Sequence, residues 1–243
     1  MKVAAVQFAP VFRDVDANLR TAESMVQEAA GQGAQLIVLP ELCTAGYSFQ
    51  SVGEALPFAE NLHHDSVSMA LMAGLVDKFN ATIVWGCVEK DHGTGDLYNA
   101  QVLMTPGGHH WTYRKINRWG NDFIWAKAGN QSPPVVQFLD KKLGMLVCRD
   151  AKNKASGWTD FYEPGDADVV CFSANWGDGG FPAERWVQFA AENHTWLVVG
   201  NRYGQERNNN FGEGGVCVIS PEEEVYCDGL KWSEPCIVYA EIP

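Results

Sequence analysis

A carboxylate, an amine and a thiol each stand where an apolar run of this chain stops. Glu41 follows Leu36 to Leu39, Lys115 follows Trp111 to Tyr113, and Cys148 follows Leu143 to Val147. Together these groups make a proton carrier, a cation for an oxyanion and a nucleophile, which are the components of covalent acyl transfer. Short apolar runs read as buried strands, and ligands of open α/β sheets bind at the carboxyl ends of their strands. An enzyme is the reading that this coincidence favours.

Each residue alone has an ordinary alternative. Cys148, after Met145-Leu146-Val147, also reads as a buried structural cysteine. Arg149 and Asp150 follow it at once, so the thiol stands where burial ends. A neighbouring cation lowers a thiol pKa, and backbone N–H groups just past a strand end can hold an oxyanion. Glu41 reads equally as a surface glutamate, although Pro40 before it helps fix the direction in which its side chain leaves. Lys115, in Tyr113-Arg114-Lys115, is by itself an exposed lysine.

The histidines offer a different base. His63-His64 and His109-His110 are adjacent pairs, and strand neighbours face opposite ways, so they make poor joint metal ligands. His92 lies in a Gly-rich turn. The order Cys148, His194, Asn201 allows a Cys–His–Asn set, while the helix-end setting of His194 suits a capping role as well. HExxH, GxxxxGK[ST] and GxGxxG patterns are missing, so zinc proteolysis, P-loop and dinucleotide chemistry have no support and no metal is expected.

Composition narrows the partners. At 243 residues with no evident linker, the chain is expected to form a single domain over 1–243. A formal charge of −12 argues against nucleic acid and anionic membranes, which need basic surface. Seven cysteines cannot all pair within the chain, and none sits in a CxxC spacing. The opening Met1-Lys2-Val3-Ala4-Ala5-Val6-Gln7-Phe8 turns polar too soon for a signal peptide, and no apolar stretch approaches membrane-span length. The cytoplasm is the expected compartment.

The positioning elements follow from periodicity. Val3 to Phe8 reads as a strand, then a helix capped by Asp16 or Asn18 runs to about Ala30, then Gln35 to Leu39 is a second strand. This βαβ opening predicts parallel neighbours in one sheet. A helix over Ser66 to Lys78 leads to a strand at Thr82 to Val88. Leu97 to Met104 and His109 to Arg114 flank Pro106-Gly107-Gly108 and predict a hairpin. Ile116 to Pro134 reads as a long loop over the site. Strands follow at Val135 to Phe138, Leu143 to Val147 and Val169 to Phe172, with a helix over Pro182 to Asn193. Further strands are expected at Trp196 to Gly200, Gly215 to Ile219, Glu224 to Cys227 and Cys236 to Glu241. Two sheets with helices outside them is the architecture this order favours.

Three segments carry a family resemblance: Leu39-Pro40-Glu41-Leu42, Tyr113-Arg114-Lys115-Ile116 and Gly144-Met145-Leu146-Val147-Cys148-Arg149-Asp150. Their order and spacing resemble the signature segments of the nitrilase superfamily of carbon–nitrogen hydrolases. The likeness extends through Ala4-Ala5-Val6-Gln7, Ser173-Ala174-Asn175-Trp176, Glu192-Asn193, Gly200-Asn201-Arg202, Phe211-Gly212 and Ser220-Pro221, so it covers nearly the whole chain. It implies an α/β fold, an αββα sandwich of two mixed β-sheets flanked by helices, and a homodimer or higher homo-oligomer. It also implies a Glu41–Lys115–Cys148 triad needing no cofactor.

Two departures from the family pattern matter. Many members carry a second glutamate in the loop after the lysine; the aligned residue here is Asp122, which either keeps the role by reaching further or sits in a rebuilt loop. The nucleophile segment continues Arg149-Asp150-Ala151-Lys152-Asn153-Lys154 rather than with the usual aromatic and Arg-Phe-Pro-Glu-like run. Arg149 and Lys152 are candidates to receive a substrate carboxylate, with a solvated basic turn as the alternative. Asn175 and Trp176 are expected in the pocket wall, and Tyr47 is a further candidate for substrate contact. The resulting expectation is an amidase or N-carbamoyl amide hydrolase acting on a small amide or carbamoyl substrate. A nitrilase using the same triad on a nitrile, a Cys–His hydrolase using His194, and a non-catalytic binding relative are the alternatives.

Overall fold

Alternate residues of the first strand enter two different cores. Val3 and Ala5 join one apolar cluster and Ala4 and Val6 another, all fully buried. A strand buried on both faces must lie between layers. The computed structural model describes residues 1–64, 66–151, 161–163, 165–177, 181–227 and 233–243.

The first half of the chain supplies β1 (Lys2–Gln7), α1 (Val15–Gly31), β2 (Leu36–Val38), α2 (Val52–Ala55), α3 (Val67–Phe79), β3 (Thr82–Lys90), β4 (Leu97–Met104) and β5 (His110–Arg114). The second half supplies α4 (Asp122–Trp125), β6 (Val135–Phe138), β7 (Lys141–Val147), β8 (Val169–Ser173), α5 (Glu184–Glu192) and β9 (Trp196–Gly200). The short β10 (Gln205–Glu206) and β11 (Asn209–Asn210), then β12 (Cys217–Ile219), β13 (Val225–Tyr226) and β14 (Cys236–Glu241), complete it.

Two six-stranded sheets result, ordered β14-β1-β2-β3-β4-β5 and β13-β12-β9-β8-β7-β6. Both are mixed: β1, β2 and β3 run parallel, as do β7, β8 and β9, with antiparallel strands outside them. The sheets face each other across a core of Val3, Ala5, Leu36, Val38, Val84 and Leu103 against Met145, Val147, Cys171 and Val198. Outside the first sheet, α1 and α3 bury Ala22, Met25, Val26, Met72 and Val76 against Ala4, Val6, Ile37 and Ile83. Trp186, Phe189 and Ala190 of α5 join the cluster of the second sheet. The αββα order expected from the sequence is the observed one. Each buried Val, Leu or Ile contributes roughly 1.5–3 kcal/mol of transfer free energy to these layers.

Polar ties keep the sheets in register. Gln101 of β4 donates to Cys171 O at 3.0 Å and to Ser173 Oγ at 2.9 Å, and Ser173 Oγ donates to Leu39 O at 2.8 Å. Those bonds join the outflow of β2 to the end of β8, beside the site.

Several boundaries differ from the sequence reading. Asp14, rather than Asp16 or Asn18, caps α1 through Ala17 N. Asn18 turns inward instead, where its side chain bonds Val11 N, Val11 O and Thr44 O. The expected loop over 116–134 contains the helical turn α4, because Asp122 is drawn inward by partners described below.

Backbone close to Glu41 leaves no room for an extra methyl. A Cβ on Gly86 would lie 2.3 Å from Leu42 N and 2.8 Å from Glu41 Cα. Gly86→Ala is therefore expected to lower stability by about 1–3 kcal/mol, read as a shifted urea midpoint. Gly74→Ala, in the interior of α3 with open space at its Cβ position, is expected to gain about 0.5–1 kcal/mol.

Candidate active site

The carboxyl ends of β2 and β7 and the last residues of β5 converge at one place. β2 passes through Leu39 and Pro40, whose backbone stays on β3 through Leu39 N to Val84 O (2.8 Å) and Gly86 N to Pro40 O (3.3 Å). Glu41 then leaves toward the second sheet, its N–H donating to Ala174 O at 3.4 Å. Lys115 directly follows β5, its backbone held by Asn99 O on one side and Gly129 N on the other, both at 2.9 Å. Cys148 follows β7 and opens a 3-10 turn over Cys148–Asp150 with φ of 44°. A non-glycine residue in left-handed backbone is uncommon and is held there by its surroundings.

Side chains close the cluster. Lys115 Nζ donates to Glu41 Oε1 at 2.7 Å and to Asp122 Oδ2 at 2.8 Å. Asn99 Nδ2 reaches the same two carboxylates, Glu41 Oε1 at 2.7 Å and Asp122 Oδ1 at 3.1 Å. Trp119 N donates to Asp122 Oδ2 at 3.1 Å. All three charged groups are at least 99% buried. Asp122 thus reaches Lys115 despite its shorter side chain, because α4 brings the backbone close. Glu41 Oε2 is buried and has no hydrogen-bond partner among the described residues.

The protonation states follow from these contacts. Burial pushes Glu41 above its ordinary pKa, and the charge of Asp122 adds to this against the opposing pull of Lys115. Burial alone would lower the Lys115 ammonium, but Asp122 and Glu41 outweigh it and hold the pKa above its usual range. Cys148 is raised chiefly by burial and secondarily by Glu41, while Lys115 and the Asn175 backbone N–H work against that rise. The resting sulfur is a thiol, within electrostatic reach of both Glu41 and Lys115.

Above Cys148 lies a cavity of about 310 Å³, walled by Trp119, Arg149, Asn175, Trp176 and Arg185 among others. Arg149 stacks its guanidinium 4.1 Å from the Trp119 ring centroid. Both polar atoms of the Asn175 amide are buried without a hydrogen-bond partner among the described residues. Tyr47 is buried beside the charged cluster and its hydroxyl donates to Trp119 O, so it supports the Trp119 loop. Lys152 lies outside the described residues.

His194 stands elsewhere. It is exposed in the turn before β9, whereas Cys148 follows the far end of β7, which runs parallel to β9 with β8 between them. The four steps from Trp196 to Gly200 alone span roughly 13 Å of strand. A Cys148–His194 hydrogen bond is excluded by that topology.

The residues missed from sequence are mostly neutral or distant in the chain. Asn99 and Gln101 are polar residues on one face of the apolar run Leu97 to Met104, a pattern that marks a polar cluster inside a core. Glu206 had no such signal: its Oε1 accepts from Tyr47 N at 2.8 Å and Ser48 N at 2.7 Å, while Oε2 accepts from Arg202 Nη1 at 2.5 Å.

Comparison with known proteins shows the family of the chain. The family model for carbon-nitrogen hydrolases matches residues 2–243. A nitrilase of Pyrococcus abyssi is 34% identical over 226 residues, covering 93% of this chain and 83% of that protein. Omega-amidase YafV of Escherichia coli K12 is 28% identical over 234 residues, with the same 93% and 83% coverage. Among solved structures, an amidase of Nesterenkonia sp. AN1, carrying acrylamide added at its active-site cysteine, superposes with a TM-score of 0.83. It is 21% identical to this chain, covering all of it and 93% of its own.

Arg202 and Glu206 are both buried, so breaking the pair strands a charge. Arg202→Met is expected to cost about 3–5 kcal/mol, and pairing it with Glu206→Gln to recover part of that in denaturant titration. A loss below about 1 kcal/mol for the single variant would contradict the contribution assigned to the pair.

Proposed function

This chain belongs to the carbon–nitrogen hydrolase family, and from that premise we propose that it hydrolyses small carboxamides through a thioester on Cys148. The observation that carries the reading is Glu41 itself: Oε1 is tied down by Lys115 and Asn99, which leaves the buried Oε2, unpartnered among the described residues, to take a proton.

Glu41 Oε2 accepts the thiol proton as the Cys148 sulfur bonds to the amide carbon. The oxygen that gains negative charge is met by the Lys115 ammonium and the Arg149 N–H. Donors fixed beforehand in a dry site contribute on the order of 3 kcal/mol each to such a step. Glu41 then passes its proton to the departing nitrogen, releasing ammonia or an amine and leaving the acyl group on sulfur. Water, deprotonated by Glu41, attacks the thioester and frees the carboxylic acid and the thiol. Asp122 and Asn99 hold Lys115 and Glu41 in place throughout.

Asn175 supports an amide over a nitrile. Its side chain offers a donor and an acceptor to the cavity, and a carboxamide presents the matching pair, whereas a nitrile nitrogen only accepts. Trp176 and the Trp119 ring supply flat apolar walls, and Arg149, with Lys152, is assigned to a carboxylate elsewhere on the substrate. Tyr47 acts on the substrate indirectly, by fixing Trp119. We further assign the chain to one domain, a homo-oligomer and the cytoplasm. A thiol nucleophile accompanied by six more free cysteines supports a reducing compartment.

Purified protein given matched amides and nitriles should release ammonia faster from the amides; faster release from nitriles would reverse the assignment. Glu41→Gln is expected to lower kcat by at least about 1,000-fold, while His194→Ala keeps wild-type turnover. The pH profile carries a sign. Glu41 works as base only when ionised, and its pKa is raised from 4.5. The acid limb of kcat/KM should therefore fall as pH drops through a midpoint above 4.5, and a midpoint at or below that value would contradict the buried carboxylate.

A further inference from the structure

Cys148 and Lys115 come from different sheets, and little covalent structure holds one relative to the other. β7 ends the second sheet at Val147, and β5 is the edge strand of the first. A buried carboxylate spans the gap. Asp150, two residues past Cys148 in the same 3-10 turn, is 2% exposed. Its Oδ2 accepts from Tyr113 Oη at 2.8 Å, and its Oδ1 accepts from Asn117 N at 2.8 Å. Tyr113 and Asn117 stand two residues before and two residues after Lys115.

We propose that Asp150 is a positioning residue that locks the sulfur-bearing turn to both flanks of Lys115, and so sets the distance between nucleophile and oxyanion cation. The inference rests on the assignment of Cys148 and Lys115 above. Both ends of the clamp are buried: Tyr113, also 2% exposed, packs edge-on to Phe161 at a centroid distance of 6.4 Å. Among the described residues, the charged and titratable groups that act on Asp150 are Lys115 and Tyr113 on the first sheet's edge, Glu41 after β2, and Tyr162.

The clamp needs two hydrogen bonds, to Tyr113 and to Asn117, and not a charge. Burial raises the Asp150 carboxyl to about 7, so neutral and ionised forms coexist near neutrality. In the neutral form the acid proton on Oδ2 is donated to the Tyr113 oxygen, because a hydroxyl can turn from donor to acceptor. Oδ1 still accepts from Asn117 N–H. A carboxamide does the same, with its NH₂ facing Tyr113 and its oxygen facing Asn117. An alanine does neither. This separates positioning from electrostatics: Asp150→Asn keeps the clamp and loses the charge.

Steady-state amide hydrolysis by Asp150→Asn, Asp150→Ala, Tyr113→Phe and Cys148→Ala tests this. Asp150→Ala should lose about 100-fold in kcat with KM within about threefold of wild type, since a small misplacement of reacting groups costs that much. Asp150→Asn should restore kcat to within about fivefold of wild type. Tyr113→Phe, which removes one anchor, should lose about tenfold in kcat at unchanged KM. Asp150→Asn as impaired as Asp150→Ala, or Asp150→Ala within threefold of wild type, overturns the proposal. Should Asp150→Ala fail to fold, an unchanged kcat in Tyr113→Phe overturns it instead. Wild-type turnover in Cys148→Ala would reject the underlying nucleophile assignment, a result distinct from any of these.

Discussion

Two carboxylates share one ammonium at the junction of the sheets, and the rest of the molecule is arranged around the cost of burying them. Moving an isolated ion of that size into a protein interior costs several kcal/mol even after relaxation. Lys115 offsets part of this by contacting Glu41 and Asp122 at once, and Asn99 bonds the same pair from the other side. Asp122 and Glu41 hold Lys115 protonated, and the same carboxylates raise the cost of forming a second anion at Cys148. In the proposed reaction the thiol ionises only as Glu41 takes its proton. Removing Lys115 would leave two buried carboxylates without a counter-charge.

Such a cluster demands a frame that does not yield. β2 and β7 are parallel-paired strands within their own sheets, and Lys115 follows the edge strand β5. Gln101, Ser173 and Leu39 O form a chain of bonds across the core directly beneath it. Glycine sets the approach where backbones meet: at Gly200 a Cβ would lie 2.6 Å from Val38 O, so only hydrogen there lets the sheets close. A second buried pair, Arg202 with Glu206, anchors the Tyr47–Ser48 backbone, and Tyr47 in turn holds the Trp119 loop against Asp122.

Strand positions were legible in the sequence because burial on both faces leaves continuous apolar runs such as Leu36 to Leu39 and Leu143 to Val147. The reactive residues stood out because each one ends such a run. Asp122 could not be placed from sequence alone, since its reach depends on α4 turning inward over a stretch with little periodicity. The cap of α1 was displaced to Asp14 because Asn18 has better partners in Val11 and Thr44, which are tertiary contacts. Asn99 and Asp150 escaped for a related reason. Their importance lies in what they touch across the fold, and a single sequence does not show which strands become neighbours.

The most direct test of a thioester on Cys148 is rapid-quench mass spectrometry of the intact protein during turnover of a small amide, followed by peptide mapping. A mass increase equal to the acyl group is expected, located on the peptide containing Cys148 and removed by hydroxylamine. Continued ammonia release with Cys148 unmodified, or with the acyl group on another residue, would contradict it.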